Sequence, residues 1–338
     1  MRKEYNPNKD KPLPLNPFFH QVIVPIYIPL TVGYHRDSFN ILKICLQSLF
    51  KTSHEKTFFT CINNGSGPEV REYLNQLLQE GQIQEVIHTE NIGKVNSILK
   101  ALNGHDFDLV TITDSDVLFL PGWQEEGYAM FKAFRKLAAL STSPNPRLLK
   151  FHTWNLILEF FFSKQLKFTP VEDPKSLKQF AESIGNPELF KPGHYEKNLT
   201  LTLGGKVGVL GAGHFVVTYR KELFEDFPLK FTKFKLGGKS EGRLDRLASQ
   251  KGCWRLSTSK SFSLHMGNIE EPWMKSCLET ISQTSFNPET LGLPPLDRTG
   301  KMGVFYANSI LSKILSKGFI LRKFLAFKGL DEKHISSY

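Results

Sequence analysis

Leu109-Val110-Thr111-Ile112-Thr113-Asp114-Ser115-Asp116 decides the fold. Its first five residues are apolar or β-branched and uncharged, which reads as a buried strand. Two aspartates follow where that strand ends, and Pro121-Gly122 shortly beyond favours a turn. Working back toward the N-terminus, Gln21 to Tyr27 reads as a buried strand. A helix from about Ser38 to Phe50 follows, with Ile41, Leu42, Cys45, Leu46 and Leu49 on one face. Phe58 to Asn63 is the next strand, broken at Asn64-Gly65-Ser66-Gly67-Pro68, and Val70, Leu74, Leu77 and Leu78 mark a helix. Glu85 to Thr89 reads as a short strand and Val95 to Leu102 as a helix leading into Asp108 to Thr113. Such β-α units in series predict an α/β protein with a mostly parallel, Rossmann-like central sheet and helices on both faces. The ligand crevice is then expected at the carboxyl ends of the strands.

Beyond Gly122 the pattern is less regular. Trp123 to Leu140 reads as helical, Phe151 to Tyr195 has no clean period, and residues 141–205 give no fold. Lys206 to Tyr219 is an apolar stretch broken by glycines. A helix follows around Glu241 to Lys251, then a strand from Trp254 to Leu264 that ends in His265-Met266-Gly267-Asn268. Gly204-Gly205 and Gly237-Gly238 read as turns or lid hinges. The predicted organisation is a polar tail over 1–18, a catalytic domain over 19–275 with a nucleotide-binding half to 125, and a C-terminal extension over 276–338.

The 338 residues are 40% hydrophobic and 22% charged, which suits a folded globular chain and excludes extensive disorder. The formal charge of +10 favours polyanionic partners. Because the basic residues are spread along the chain and concentrate only in the tail, they do not make a nucleic-acid footprint. The four cysteines, Cys45, Cys61, Cys253 and Cys277, form no C-x-x-C pair and read as reduced core thiols. Met1 to Pro17 lacks the apolar core of a secretory signal, and Phe18 to Val32 is too short and interrupted to span a bilayer. A cytoplasmic protein, peripheral on the inner membrane face at most, is expected.

Asp-x-Asp alone is weak, since Asp is common in surface turns. After a buried strand it gains chemical meaning, because hard divalent cations take carboxylate oxygens and bridge them to phosphate. Ile23-Val24-Pro25-Ile26-Tyr27, Asn63-Asn64-Gly65-Ser66, Asn91-Ile92-Gly93-Lys94, Asp114-Ser115-Asp116 and Trp123, in that order, resemble the family 2 glycosyltransferases. The resemblance implies an A-type glycosyltransferase fold and an inverting transfer from a nucleoside-diphosphate sugar, UDP-sugars favoured, to an acceptor hydroxyl. It places the work in cell-surface polysaccharide or glycolipid assembly. It implies Mn²⁺ or Mg²⁺ as cofactor, and a saccharide or lipid-linked acceptor as partner.

Carried over by position, the resemblance puts Pro25, Ile26, Tyr27, Asn63, Asn64, Asn91, Gly93, Lys94, Asp114 and Ser115 around the donor. Asn63 stands where the family has an acidic residue that pairs with the base; an amide both donates and accepts and can meet a uracil edge. Asp116 is the expected metal ligand, joined by His265, whose imidazole suits Mn²⁺ better than Mg²⁺. By itself Lys94 reads as a solvated lysine, although it could add charge to the diphosphate.

The family's acidic pair before a helix is reduced here to Glu241. Gly252 resembles the glycine that ends this helix in relatives; counting back from it, the resemblance implies Glu241 as the base, with Asp245, one turn inside the helix, as the alternative. Glu241 also reads simply as a helix N-terminal carboxylate. Gly211-Ala212-Gly213 resembles an acceptor-side segment, or else a bulge in an edge strand. Val304 to Leu330 mixes large apolar residues with Lys313, Lys317, Arg322, Lys323 and Lys328. That composition suits either an anionic membrane surface or a helix packed on the domain. A catalytically idle carbohydrate or lipid-surface binder is the competing function. A nucleotidyltransferase is disfavoured because no glycine-rich loop follows the first strand.

Overall fold

The structure is a computed structural model that describes residues 6, 8–14, 16–227 and 230–338. Of the expected polar tail, residues 1–5, 7 and 15 lie outside the described residues. β1 (His20–Ile26), β2 (Thr57–Asn64), β3 (Glu85–Thr89) and β4 (Leu109–Thr113) pair in parallel in the order β3-β2-β1-β4. Alternation along β1 explains why helices cover both faces. Val22, Val24 and Ile26 pack with α1 (Ser38–Thr52) and α2 (Pro68–Gln79). Ile23 packs on the other side with α3 (Lys94–Leu102), through Val95, Ile98 and Ala101. α2 starts with Pro68 in its first turn and Glu69 beside it, both favourable at a helix N-terminus.

Past β4 the chain forms β5 (Val117–Phe119), α4 (Trp123–Ala133), β6 (Leu137–Ser141), α5 (Trp154–Glu159), β7 (Leu166–Pro170), α6 (Pro174–Ser183) and α7 (Pro192–Glu196). β8 (Lys197–Leu203), β9 (Lys206–Leu210), β10 (Val216–Arg220), α8 (Gly238–Gln250), β11 (Trp254–Thr258) and β12 (Ser263–His265) follow. Among the described residues the large sheet has ten strands, ordered β3-β2-β1-β4-β10-β6-β11-β9-β8-β7. β1 to β4, β6, β8 and β11 point one way, and β7, β9 and β10 the other. β5 and β12 form a separate antiparallel ribbon.

Two sequence expectations need correction. The helix expected over Trp123 to Leu140 ends at Ala133, and Leu137–Ser141 is the buried strand β6. Leu-Ala-Ala-Leu has strong helix propensity, but its place between β10 and β11 overrides it. The strand expected over Trp254 to Leu264 is two strands in two sheets, parted at Ser259-Lys260-Ser261. The tail is not one helix. After α9 (Pro272–Thr280), α10 (Lys301–Phe305), a π turn (Tyr306–Leu311) and α11 (Ser312–Leu315) are separated from α12 (Gly318–Phe327) at Ser316-Lys317, and α13 (Glu332–Ile335) follows. Leu315, Phe324, Leu325 and Leu330 are buried in the same core as β6 to β9. Cys45, Cys61 and Cys253 are buried free thiols, and Cys277 is half-buried. Among the described residues no helix is long and apolar enough to cross a membrane.

A chain of buried polar groups ties β1 to its neighbours. His20 Nδ1 lies 2.6 Å from Tyr128 Oη and Nε2 2.7 Å from Thr111 Oγ1, which meets Thr218 Oγ1 at 2.6 Å. His54 Nε2 reaches the same Tyr128 hydroxyl at 2.7 Å. Burial lowers the pKa of His20, and lowers those of His54, His152 and His194 to about 4. The unfolded chain protonates its histidines near pH 6.5. Between about pH 6.5 and 4 the unfolded state therefore binds protons that the native state refuses, and stability falls as pH falls. The melting temperature is expected to drop by several degrees from pH 7 to pH 5. An unchanged melting temperature over that range would show that these histidines protonate in place.

Candidate active site

β4 ends at Thr113 and the chain turns through Asp114-Ser115-Asp116 into β5. Pairing of β5 with β12 sets Val117 opposite His265, and Met266 N donates to Asp116 O at 2.8 Å. The ribbon thereby brings His265 Nε2 to 3.5 Å from Asp116 Oδ2. Ser183 Oγ, at the end of α6, lies 2.9 Å from His265 Nδ1, while Phe180 and Phe215 pack edge-on against the ring. Asp116 Oδ1 is buried, with no partner among the described residues. Burial raises the Asp116 pKa, against the pull of His265 and Lys94.

A buried carboxylate oxygen without a partner, next to an oriented imidazole, fits a divalent cation. Among the described residues no cluster of three or more His, Cys, Asp or Glu side chains could hold a metal. Asp116 and His265 are the two side chains there that could hold such an ion.

Lys94, which alone reads as a solvated lysine, is in fact nearly enclosed, its side chain 15% exposed. Its Nζ sits 2.5 Å from Asp114 Oδ1 and 2.7 Å from Glu241 Oε1. Burial favours the neutral amine, but the two carboxylates outweigh it and raise the Lys94 pKa. For Glu241 burial acts upward, and the Lys94 ammonium outweighs it to lower the pKa. Glu241 Oε2 also accepts from Gly237 N at 3.2 Å, so the residue serves the start of α8 as well.

Lys94, Asp114 and Asp116, but not Glu241 or His265, edge a cleft of about 370 Å³ at the carboxyl ends of β1, β2 and β4. Pro25, Ile26, Tyr27, Asn64, Asn91, Lys94, Asp114, Ser115 and Asp116 line it. Asn63 does not. It is buried below, accepting from Ser66 N at 2.8 Å and lying 3.1 Å from His88 Nδ1. β2 runs one residue further than the sequence suggests, to Asn64, and that residue turns to the cleft. Asn64 Oδ1 accepts from Ile92 N at 3.0 Å and so holds the turn that carries Asn91.

His35, Lys235 and Leu236 also line the cleft and carry no sequence signal of their own. Lys235 is brought there by a strap across the start of α3. Lys94 N donates to Lys235 O at 2.9 Å, and the Asn96 side chain bonds both ways to the Thr232 backbone. Gly93, at φ +89°, accepts this crossing because a Cβ there would meet Phe234 O at 3.0 Å. Gly93 thus faces the strap.

Gly211-Ala212-Gly213 joins β9 to β10, both interior strands, so it is not an edge bulge. Gly211, at φ +95°, lies against the Leu148 carbonyl, and Arg255 Nη2 holds Ala212 O at 2.7 Å. Ala212 and Gly213 line a second cavity of about 280 Å³ with Leu148, Phe151, Phe180 and Phe215. Asp245 is 2% exposed, and Arg255 bonds both its carboxylate (3.1 Å) and its carbonyl (2.7 Å). Of the two acidic residues of α8, Glu241 is the one paired with Lys94 at the cleft.

Residues 22–183 match the family described as Glycosyl transferase family 2. Over this segment, a little under half of the chain, the sequence carries that family's pattern. It is a glycosyltransferase. Asp114 and Asp116 fall inside the matched segment, whereas Glu241 and His265 lie beyond it. No curated protein matches the sequence. Among solved structures, the glycosyltransferase is similar to the mannosyltransferase PcManGT from Pyrobaculum calidifontis in complex with GDP-Man and Mn²⁺, at 11% identity. That match covers 97% of this chain and 81% of the other, with a TM-score of 0.45. It is also similar to S. aureus TarS 1–349 in complex with UDP-GlcNAc, at 13% identity, 94% and 69% coverage and a TM-score of 0.45. A third similar structure is GalNAc-T7 with UDP, GalNAc and Mn²⁺, at 11% identity, 75% and 45% coverage and a TM-score of 0.48.

Proposed function

We propose that this glycosyltransferase transfers a sugar with inversion from a nucleoside-diphosphate sugar, UDP-sugars first, to a hydroxyl of a saccharide or lipid-linked acceptor. Assembly of cell-surface polysaccharide or glycolipid is the proposed setting. The observation that carries the reading is the buried, unpartnered Asp116 Oδ1 with His265 3.5 Å from the same carboxylate, at the cleft that Lys94 and Asp114 also line.

The cleft volume of about 370 Å³ lies within the range of small-ligand sites. Tyr27 and His35 stand edge-to-face at 5.9 Å and offer the nucleobase an aromatic wall, while the Asn64 and Asn91 amides supply polar edges. Asp116 and His265 would hold Mn²⁺ or Mg²⁺, which neutralises charge growing on the leaving diphosphate. Lys94 adds a fixed positive charge on the same side. In the free protein Lys94 keeps Glu241 ionised. When the diphosphate gives that ammonium another anion, its hold on Glu241 loosens, and the carboxylate becomes the stronger base toward the acceptor hydroxyl. That oxygen attacks the anomeric carbon opposite the departing diphosphate, which inverts the configuration.

Ligands that bind only the native state raise its stability, by about 2.7 kcal/mol at a hundred times Kd. UDP with Mn²⁺ is expected to raise the melting temperature by more than UDP or Mn²⁺ alone. If no nucleoside diphosphate shifts the transition in Mn²⁺ or Mg²⁺, the reading fails.

A further inference from the structure

We propose that the glycosyltransferase docks on the surface of an anionic bilayer through an aromatic and basic face built by α12 and the turn between α5 and β7. This goes beyond the donor reading and rests on different residues. Phe162, on the turn, is 85% exposed, and on α12 Phe319 is 70% and Phe327 58% exposed. Phe162 and Phe327 meet edge-to-face at 6.5 Å, so turn and helix present one apolar surface.

The turn is braced in that position. Lys328 is buried, and its Nζ donates to both Phe160 O and Ser163 O at 3.0 Å. The Lys328 carbonyl accepts from Phe168 N in β7 at 2.8 Å. Phe161, next in line, turns inward onto Phe324 at 5.3 Å. A large apolar side chain held outward on a fixed turn is unfavourable in water and favourable in an acyl boundary.

Charge identifies the occupant. From Lys301 to Leu330 the sequence contains no Asp or Glu. Arg322 and Lys323 are exposed on the same helix as Phe319, with Lys323 Nζ 4.4 Å from the Phe319 ring centre, and Lys164 and Lys167 are exposed beside Phe162. Basic groups around aromatic side chains complement anionic headgroups over an acyl layer. α12 has ten residues, about half of what a spanning helix needs, so it lies in the interface plane.

Flotation of the full-length protein with vesicles tests this. Binding is expected to phosphatidylcholine vesicles containing phosphatidylglycerol at low salt, to be lost at high salt, and to be absent on phosphatidylcholine alone. Phe162→Ser with Phe327→Ser is expected to lower binding at least tenfold at an unchanged melting temperature. Arg322→Gln with Lys323→Gln is expected to lower it on the order of tenfold or more, which keeps the test intact if the phenylalanine variant misfolds. Failure to float with phosphatidylglycerol at low salt overturns the proposal. So does wild-type flotation by the folded variants, or retention on a DNA duplex in place of vesicles.

Discussion

Asp116→Asn is expected to weaken Mn²⁺-dependent binding of UDP by at least about 100-fold, since even the outer partners of metal ligands contribute 10–100-fold. The same variant is expected to melt, without metal, at or above the wild-type temperature. Both effects have one source. Asp116 is half-buried, its Oδ1 is enclosed with no partner among the described residues, and burial raises its pKa. A cation would relieve that cost, and a neutral amide avoids it. A residue that is costly without ligand and needed with it marks a binding site rather than a structural turn. Calorimetric titration of UDP with and without Mn²⁺, beside a thermal melt, gives both numbers. A destabilised variant with intact Mn²⁺-dependent affinity would make Asp116 a structural residue.

Glu241→Gln is expected to retain UDP and Mn²⁺ binding and to lose transfer by about 10²- to 10⁴-fold, the contribution of a positioned base. The geometric ground is the 2.7 Å contact between Glu241 and the Lys94 ammonium, which also meets Asp114 in the cleft. Asp245→Asn should behave differently. It leaves the fully buried Arg255 without its charged partner, which costs about 3–5 kcal/mol for a buried pair. The expected result is a large drop in melting temperature, with transfer by the folded fraction close to normal. Transfer rates normalised to folded protein separate the two. A stable Glu241→Gln enzyme with normal transfer would remove Glu241 from the chemistry.

The part of the fold that could be read in advance is the part whose strands are buried on both faces. Leu109–Thr113 is an uncharged, β-branched-rich run because both sides are covered, Val110 and Ile112 packing with α3 and Leu109 with Tyr128 and Phe131 of α4. Leu137–Ser141 is equally buried, but its alanines suit a helix as well, and only its neighbours β10 and β11 decide. The resemblance puts both Asn63 and Asn64 at the donor, and only Asn64 lines the cleft. Extending β2 by a single residue sends one amide into the interior and the next into the cleft.

Asp116 and His265 could be linked by resemblance, but the pairing of β5 with β12 that joins them leaves no periodic trace in such short strands. Lys94 could be located at a helix start, while its partners Asp114 and Glu241 come from other elements. The strap that delivers Lys235 is held through its own backbone groups, which every residue carries, by Lys94 N and the Asn96 side chain. Phe162 lay in a stretch without period, and its exposure follows from Lys328, which reaches it across the tail packing.

Crystals grown with UDP and Mn²⁺, measured for the anomalous scattering of manganese, test the central claim most directly. The account predicts one strong peak within coordinating distance of Asp116 and His265 Nε2, with the UDP diphosphate on the same ion and the uridine between Tyr27 and the Asn64 and Asn91 amides. A peak held by other residues, or UDP bound with no manganese at Asp116, would contradict it.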